Sequence, residues 1–396
     1  MSSSKERTVY ILTVIFSVIY LFAAHRTAVA HLGDLTGEDA AQFLKAKVIS
    51  ITERSENDIG IEGLENSTEI NIEFEAKITD GQRKGETVTA YQNLSPLIPI
   101  DYKEVEKNDR VLLIDTEIYG FTGEAQHEWY FAEYIRIDKI ILLGVLFFIC
   151  LIIFGRKKGL STVLSLVFTC VAVFAAFIPA ILSGHNIYLW SIMTCAFIIL
   201  MTLLLVNGAN EMSLSAGLGC LGGVLLSGLL TSVMGSIIKL TGYMDEHSIY
   251  LMYLNEDRPI DLRAIIFGAI IVGAVGAIMD VAVNIAASLH EIYVKVPSST
   301  PVSLFRSGLT IGRDIMGTMS NTLVLAYIGS SLCSVLLIVA YNGASLDYLF
   351  NRETIIVELL QALVGSFGML LTIPLTAFFS GVLYPKRRIR GRTTES

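Results

Sequence analysis

Apolar residues recur along this chain in runs long enough to cross a bilayer, and one long polar interval separates the first run from the rest. A hydrocarbon core of about 30 Å takes roughly 20 residues of helix. By that measure the candidate spans are Tyr10–Ala24, Ile137–Phe154, Leu160–Leu182, Ile187–Val206, Ser213–Leu240, Ala264–Leu289, Asn321–Ala340 and Ile355–Leu383. The pattern predicts an α-helical integral membrane protein with about eight transmembrane helices.

Inside the polar interval the period changes from helical to alternating. The stretches "FLKAKVISITE", "TEINIEFEAKITD", "GETVTAYQNL", "DRVLLIDTEI" and "EWYFAEYIRI" read as five short strands, with turns at "DGQRKG" and "EKNDR". They predict a small extracytoplasmic β-barrel, OB-like, between helices 1 and 2. The expected organisation is a membrane anchor or signal-like helix over 1–30, the β-rich domain over 31–136, a multi-span helical domain over 137–384 and a basic cytoplasmic tail over 385–396.

A hydrophobic share of 53%, only 17% charged residues and a mean hydropathy of +0.60 exclude an ordinary soluble chain and make the lipid bilayer the first partner. The net charge of −8 is unevenly placed, with acids crowding the polar interval and bases gathering at the ends of apolar runs. An acidic outer domain whose aromatics are not interleaved with arginines argues against nucleic acid. Lys5 and Arg7, then Arg156, Lys157 and Lys158, then Lys295, Arg306 and Arg313, then the cluster from Lys386 to Arg392 mark alternate helix ends. The positive-inside rule then puts both termini in the cytoplasm of a multi-pass cell-membrane protein. At the start, Lys5, Arg7, the apolar run and Ala28-Val29-Ala30 fit a cleavable signal peptide as well as an anchor, and Arg26 ahead of the tripeptide favours the anchor.

All five cysteines lie inside apolar runs and the histidines show no metal-ligand spacing, so no disulfide framework, metal site or cofactor is expected. A phosphate-binding GxxxxGK[ST] loop is missing from the sequence, which argues against an ATP-driven pump within this chain.

The chemistry concentrates in three segments. In "GAVGAIMDVAVNIAASLHEI", helical spacing puts Gly273, Gly276, Asp280, Asn284 and Glu291 on one face. Small residues let a second helix approach, so this face is expected to point into the bundle, and a carboxylate at such depth costs about 2.5–3.5 kcal/mol or more. The preceding run carries Ser215, Gly219, Gly223, Ser227, Thr231 and Gly235 at intervals of four, a helix-packing stripe beneath an interfacial Glu211. The third segment, "SGLTIGRDIMGTMSNTLVLAYIGS", sets Gly308, Gly312, Arg313, Asp314, Gly317, Thr318, Asn321 and Thr322 ahead of an apolar run. Asp314, Thr318 and Asn321 share a helical face, and the glycines before them predict a break or a re-entrant turn. Farther on, Pro374 is expected to kink the last helix.

The first and third segments together resemble the signature of the YibE/F family of bacterial multi-span membrane proteins. The matching positions are Gly276, Asp280, Glu291, Gly308, Gly312, Arg313, Asp314, Gly317, Asn321, Thr322 and Tyr327. The sequence departs from the signature at Asn284, where a small serine-like residue is usual, and at Leu309-Thr310, where methionine and asparagine are usual. The resemblance implies a permease-like membrane protein and names no substrate.

Two functions are expected to compete. In the first, Asp280, Asp314, Asn321, Arg313, Thr318, Thr322, Asn284 and Glu291 line a pathway through which a secondary transporter moves an ion or a small polar solute. In the second, Asp280 pairs with Arg313 or Asn321 as a structural lock, and the outer domain of a non-transporting protein recruits a partner. A homo-oligomer is open to either. Asp280 in "IMDVA" and Asp314 in "GRDIM" lack the sequence contexts of an intramembrane aspartyl protease, so no enzyme is expected. Gly219, Gly223, Gly235, Gly273, Gly276, Gly312 and Gly317 are expected to serve helix packing.

Overall fold

The computed structural model describes residues 2–30, 43–58, 68–95, 103–119, 125–244, 248, 250–251, 259–341 and 346–392. The acid-rich stretch at 245–258 and the tail beyond 392 lie largely or wholly outside them. The chain divides into two compact units, Thr36–Cys150 and a second made of Met1–Leu35 with Leu151–Ser396.

The first unit holds strands β1 (Phe43–Asp58), β2 (Thr68–Ile78), β3 (Thr87–Leu94), β4 (Arg110–Tyr119) and β5 (Ala125–Tyr134). They close into a barrel in the order β1-β2-β3-β5-β4, with β4 pairing back to β1. All pairings are antiparallel except β3 with β5. Alternation sends Ala46, Val48, Ile72, Phe74, Ala76, Ala90, Val111, Leu113 and Trp129 into one core. The register sets Phe74 opposite Ala90, so a large ring fills the space a small neighbour leaves. Gln92 is buried but satisfied: its amide donates to the Lys103 carbonyl at 3.0 Å and its oxygen accepts from the Val105 N–H at 2.9 Å. The turn between β2 and β3 needs glycine, because Gly81 and Gly85 take φ of 81° and 98°. Asp80 accepts from the Gly81 N–H there, at 2.9 Å.

The second unit is helical. Among the described residues six stretches are long and apolar enough to cross a membrane, where about eight were expected. The difference has two sources. Helix α2 (Ile137–Val171) runs on through a π-turn and a short helix α3 (Ile178–Leu182), giving a 46-residue stretch in place of two separate spans. At 1.5 Å per residue that is roughly twice a bilayer core. Arg156, at φ 50° and ψ −123°, breaks the helical backbone within it, in the basic "GRKKG" segment. The expected span Asn321–Ala340 is also not one helix, since Ser331 joins the end of one helix to the start of the next.

The remaining helices are α4 (Ile187–Val206), α5 (Glu211–Ile237), α6 (Leu262–Lys295), α7 (Pro301–Ser330), α8 (Leu332–Tyr341), α9 (Leu346–Asn351) and α10 (Glu353–Arg392). Helix α7 starts under the cap of Thr300, whose hydroxyl accepts from Ser303 N–H, and continues unbroken past Gly308, Gly312 and Gly317. The re-entrant turn expected there is not formed, because those glycines keep helical dihedrals and two of them pack against α10. Pro374 lies within the continuous helix α10.

Helix α1 (Ser2–Val29) packs into this bundle. Tyr20 stacks on Phe197 with ring centroids 4.4 Å apart. Near the alanine tripeptide, Ser183 Oγ donates to the Ala28 carbonyl at 2.5 Å and His25 Nδ1 to the Ala175 carbonyl at 2.6 Å.

In the barrel unit, Arg54 forks onto Glu104 at 2.8 and 2.9 Å, and this hydrogen bond holds the Glu104 carboxyl below the usual carboxylate range. A lowered folded-state pKa adds stability that is present above the unfolded value of about 4.3 and lost as pH falls through the folded value. Barrel stability, followed through Trp129 in an intact chain carrying Trp190→Phe, is expected to fall from about pH 5 downward. Glu104→Gln should flatten that slope by a small amount, as befits an exposed pair.

Candidate functional site

Helix α6 is the centre of the bundle and has two unlike faces. Asp261 caps it by accepting from the Arg263 and Ala264 N–H groups at 3.0 and 3.3 Å. From there a bulky ridge, Phe267, Ile271, Ile278, Ile285 and Leu289, is buried in the core with Ala274 and Ala282. The 3.6-residue period leaves Gly273, Gly276, Asp280, Asn284 and Glu291 on the opposite side, where all five are exposed. This corrects the expectation that the small-residue face turns inward. Burying the isoleucine ridge removes more apolar surface than burying glycines would, so the ridge takes the interior.

Helix α7 repeats the arrangement. Leu304, Gly308 and Gly312 are buried, and a β-carbon on Gly308 would press on Ala377 and Leu289, one on Gly312 on Ile373. Arg306, Thr310, Arg313, Asp314, Gly317, Thr318, Asn321 and Thr322 are exposed. Leu289 meets Gly308 at one end of the α6–α7 seam and Gly273 meets Tyr327 at the other. The two helices are therefore antiparallel, with Asp280 level with Thr318 to Asn321, and Asn284 level with Arg313 and Asp314.

Each threonine hydroxyl on this strip is satisfied by its own helix. Thr310 donates to the Arg306 carbonyl at 3.1 Å, Thr318 to Ile315 at 3.0 Å and Thr322 to Thr318 at 2.9 Å. Among the described residues no hydrogen bond or ion pair engages the side chains of Asp280, Asn284, Arg313, Asp314 or Asn321. The Asp280–Arg313 lock and the Asp280–Asn321 hydrogen bond are thus not formed. Gly276 and Gly317, expected to pack, face open space, with no atom within 4 Å of where a β-carbon would stand. The described residues also hold no group of three or more His, Cys, Asp or Glu able to bind a metal ion.

The close packing belongs to α5 and α10. Gly219 lies under Thr376, Gly223 under Thr372, and Ser227 over Gly368, so the two helices run antiparallel at short range. Tyr384, fully buried, closes one end by donating to the Ala286 carbonyl at 2.9 Å, with Ser215 Oγ at 3.0 Å. Gly235 makes only an ordinary contact with Leu240. Glu211 opens α5 beneath its cap Asn210, whose side chain accepts from Ser213 N–H at 2.7 Å.

Two polar residues on α10 went unrecognised in the sequence. Gln361 and Tyr327 meet beside Gly273, where a β-carbon would sit 3.1 Å from Gln361 Nε2 and from the Tyr327 hydroxyl, and Glu358 lies near the same hydroxyl. The signal was present: Glu358, Gln361 and Gly365 share a helical face inside an apolar run.

These contacts separate structural from spare positions. Gly223→Leu should lower stability by about 1–3 kcal/mol through overpacking, seen as a drop in Tm in detergent. Asp280→Asn should stay within about 0.5 kcal/mol of the parent, as substitutions at exposed positions do, and Gly276→Leu should raise stability by up to about 1 kcal/mol through helix propensity alone.

A family model described as YibE/F-like protein matches residues 143–386, a range that takes in α4 to α7 and most of α10 and leaves the barrel out. No curated protein and no solved structure matches the chain.

Proposed function

Because the chain belongs to the YibE/F-like family through its helical bundle, we propose that the bundle is the working part, a secondary transporter or permease that moves an ion or small polar solute along the exposed strip of α6 and α7. The observation that carries this reading is that Asp280, Asn284, Arg313, Asp314 and Asn321 lie exposed and unpartnered on helices whose other faces are buried. Carboxylate and carboxamide oxygens at that depth can replace the water around a cation, and a carboxylate can exchange a proton as its surroundings change. In this reading α1 is retained as an anchor, both termini are cytoplasmic and the barrel stands outside the cell membrane.

A second reading rests on the barrel. Glu53, Glu73, Tyr91 and Tyr130 are register partners across four adjacent strands and line a depression of about 460 Å³. Such a row on an OB-like barrel suits recruitment of a partner by a protein that transports nothing.

The test is ion flux in proteoliposomes of purified protein, read by an entrapped pH dye under imposed H⁺, Na⁺ or K⁺ gradients. Transport predicts a response from the parent and a reduction of about ten-fold or more in Asp280→Asn, the scale of one lost charge-assisted contact of roughly 1.5–3 kcal/mol. A variant that folds and conducts like the parent would remove Asp280 from the pathway.

A further inference from the structure

We infer that the exposed strip of α6 and α7 is the face on which a second copy of this chain docks, around a two-fold axis along the membrane normal. Three observations lead there. Lipid tails offer a carboxylate, a guanidinium or a carboxamide no partner, yet Asp280, Asn284, Arg313, Asp314 and Asn321 all stand on the outside of the bundle. Gly276, one turn from Asp280, and Gly317, one turn from Arg313, each have open space where a β-carbon would stand, which allows another backbone to come close.

The third observation selects the occupant. A two-fold interface must be self-complementary, and a two-fold along the normal brings residues of equal depth together. Arg313 and Asp314 are neighbours in sequence, so they share a depth and carry opposite charge. Arg313 of each copy then meets Asp314 of the other. Asp280 is level with Thr318 to Asn321, so its carboxylate meets the Asn321 carboxamide donor across the axis. One strip therefore supplies both halves of every pairing it requires.

Docking on this strip puts the proposed pathway at the interface between the two copies, and the experiment reads assembly alone. The full chain, labelled and reconstituted at low density in lipid vesicles, is scored for dimers by single-molecule photobleaching. The parent should be dimeric. Gly276→Trp with Gly317→Trp fills space that the chain itself leaves empty, and should weaken dimerisation by about ten-fold or more while Tm stays at the monomer's value. Arg313→Asp alone should weaken it similarly by setting like charges together, and Arg313→Asp with Asp314→Arg should restore it. A monomeric parent, a tryptophan double variant as dimeric as the parent, or an exchanged pair that fails to recover would each overturn the inference. A dimer that conducts nothing would leave it standing while the transport reading fell.

Discussion

Close approach of α5 and α10 is the contact from which the rest of the bundle follows. Gly219 and Gly223 admit Thr376 and Thr372, and Gly368 admits Ser227, so two backbones share a seam that larger side chains would force apart. The paired helices offer a surface onto which α6 lays Phe267, Ile271, Ala274 and Ile278. Once that ridge is committed to the interior, the helical period has no freedom left. Asp280 must face the other way. Its exposure is thus a consequence of packing on the far side of the same helix, with no contact of its own holding it there.

The bilayer then sorts polar side chains by what a lone helix can do for them. Serine and threonine hydroxyls reach back to a carbonyl one turn earlier, as Thr231 does to Ser227 at 2.8 Å and Thr372 to Gly368 at 2.7 Å. The threonines of the strip do likewise. Carboxylates, guanidinium groups and carboxamides carry more donors and acceptors than a neighbouring carbonyl can satisfy. Asp280, Asn284, Arg313, Asp314 and Asn321 are therefore the side chains whose needs are met by water, solute or another protein chain.

Strands were legible because alternation and turn residues act locally. All five expected strands overlap the observed ones, and Gly81, Gly85 and Asn108, in the two expected turns, take the positive φ that such turns require. The burial of α6 was not legible in the same way. Small residues were expected to mark the packed face, which holds for Gly219 and Gly223 but fails for Gly276. Both sit at four-residue spacings in apolar runs, and what separates them is the identity of the opposing helix, which the local sequence does not encode. The partner stripe on α10, from Gly368 through Thr372, Thr376 and Ser380 to Tyr384, has the same spacing of four and was obscured by the leucines and phenylalanines between its members. The expected span Asn321–Ala340 straddles α7 and α8 because Arg306, Arg313 and Asp314 lower the hydropathy of α7, which is not among the six stretches apolar enough to cross a membrane.

Glycine thus has two fates in this bundle, and the difference bears on the open strip. At Gly219, Gly223, Gly308 and Gly312 a β-carbon would strike a neighbouring helix, so the residue is explained by the chain's own packing. At Gly276 and Gly317 nothing in the chain requires it, and a glycine inside a helix costs roughly 0.5–1 kcal/mol relative to alanine. Gly276 lies one turn from Asp280 and Gly317 one turn from Arg313, so each open position has an unpartnered charge beside it, as one half of a packed contact would. In the proposed dimer, the side chains that give this cost a return belong to the second copy.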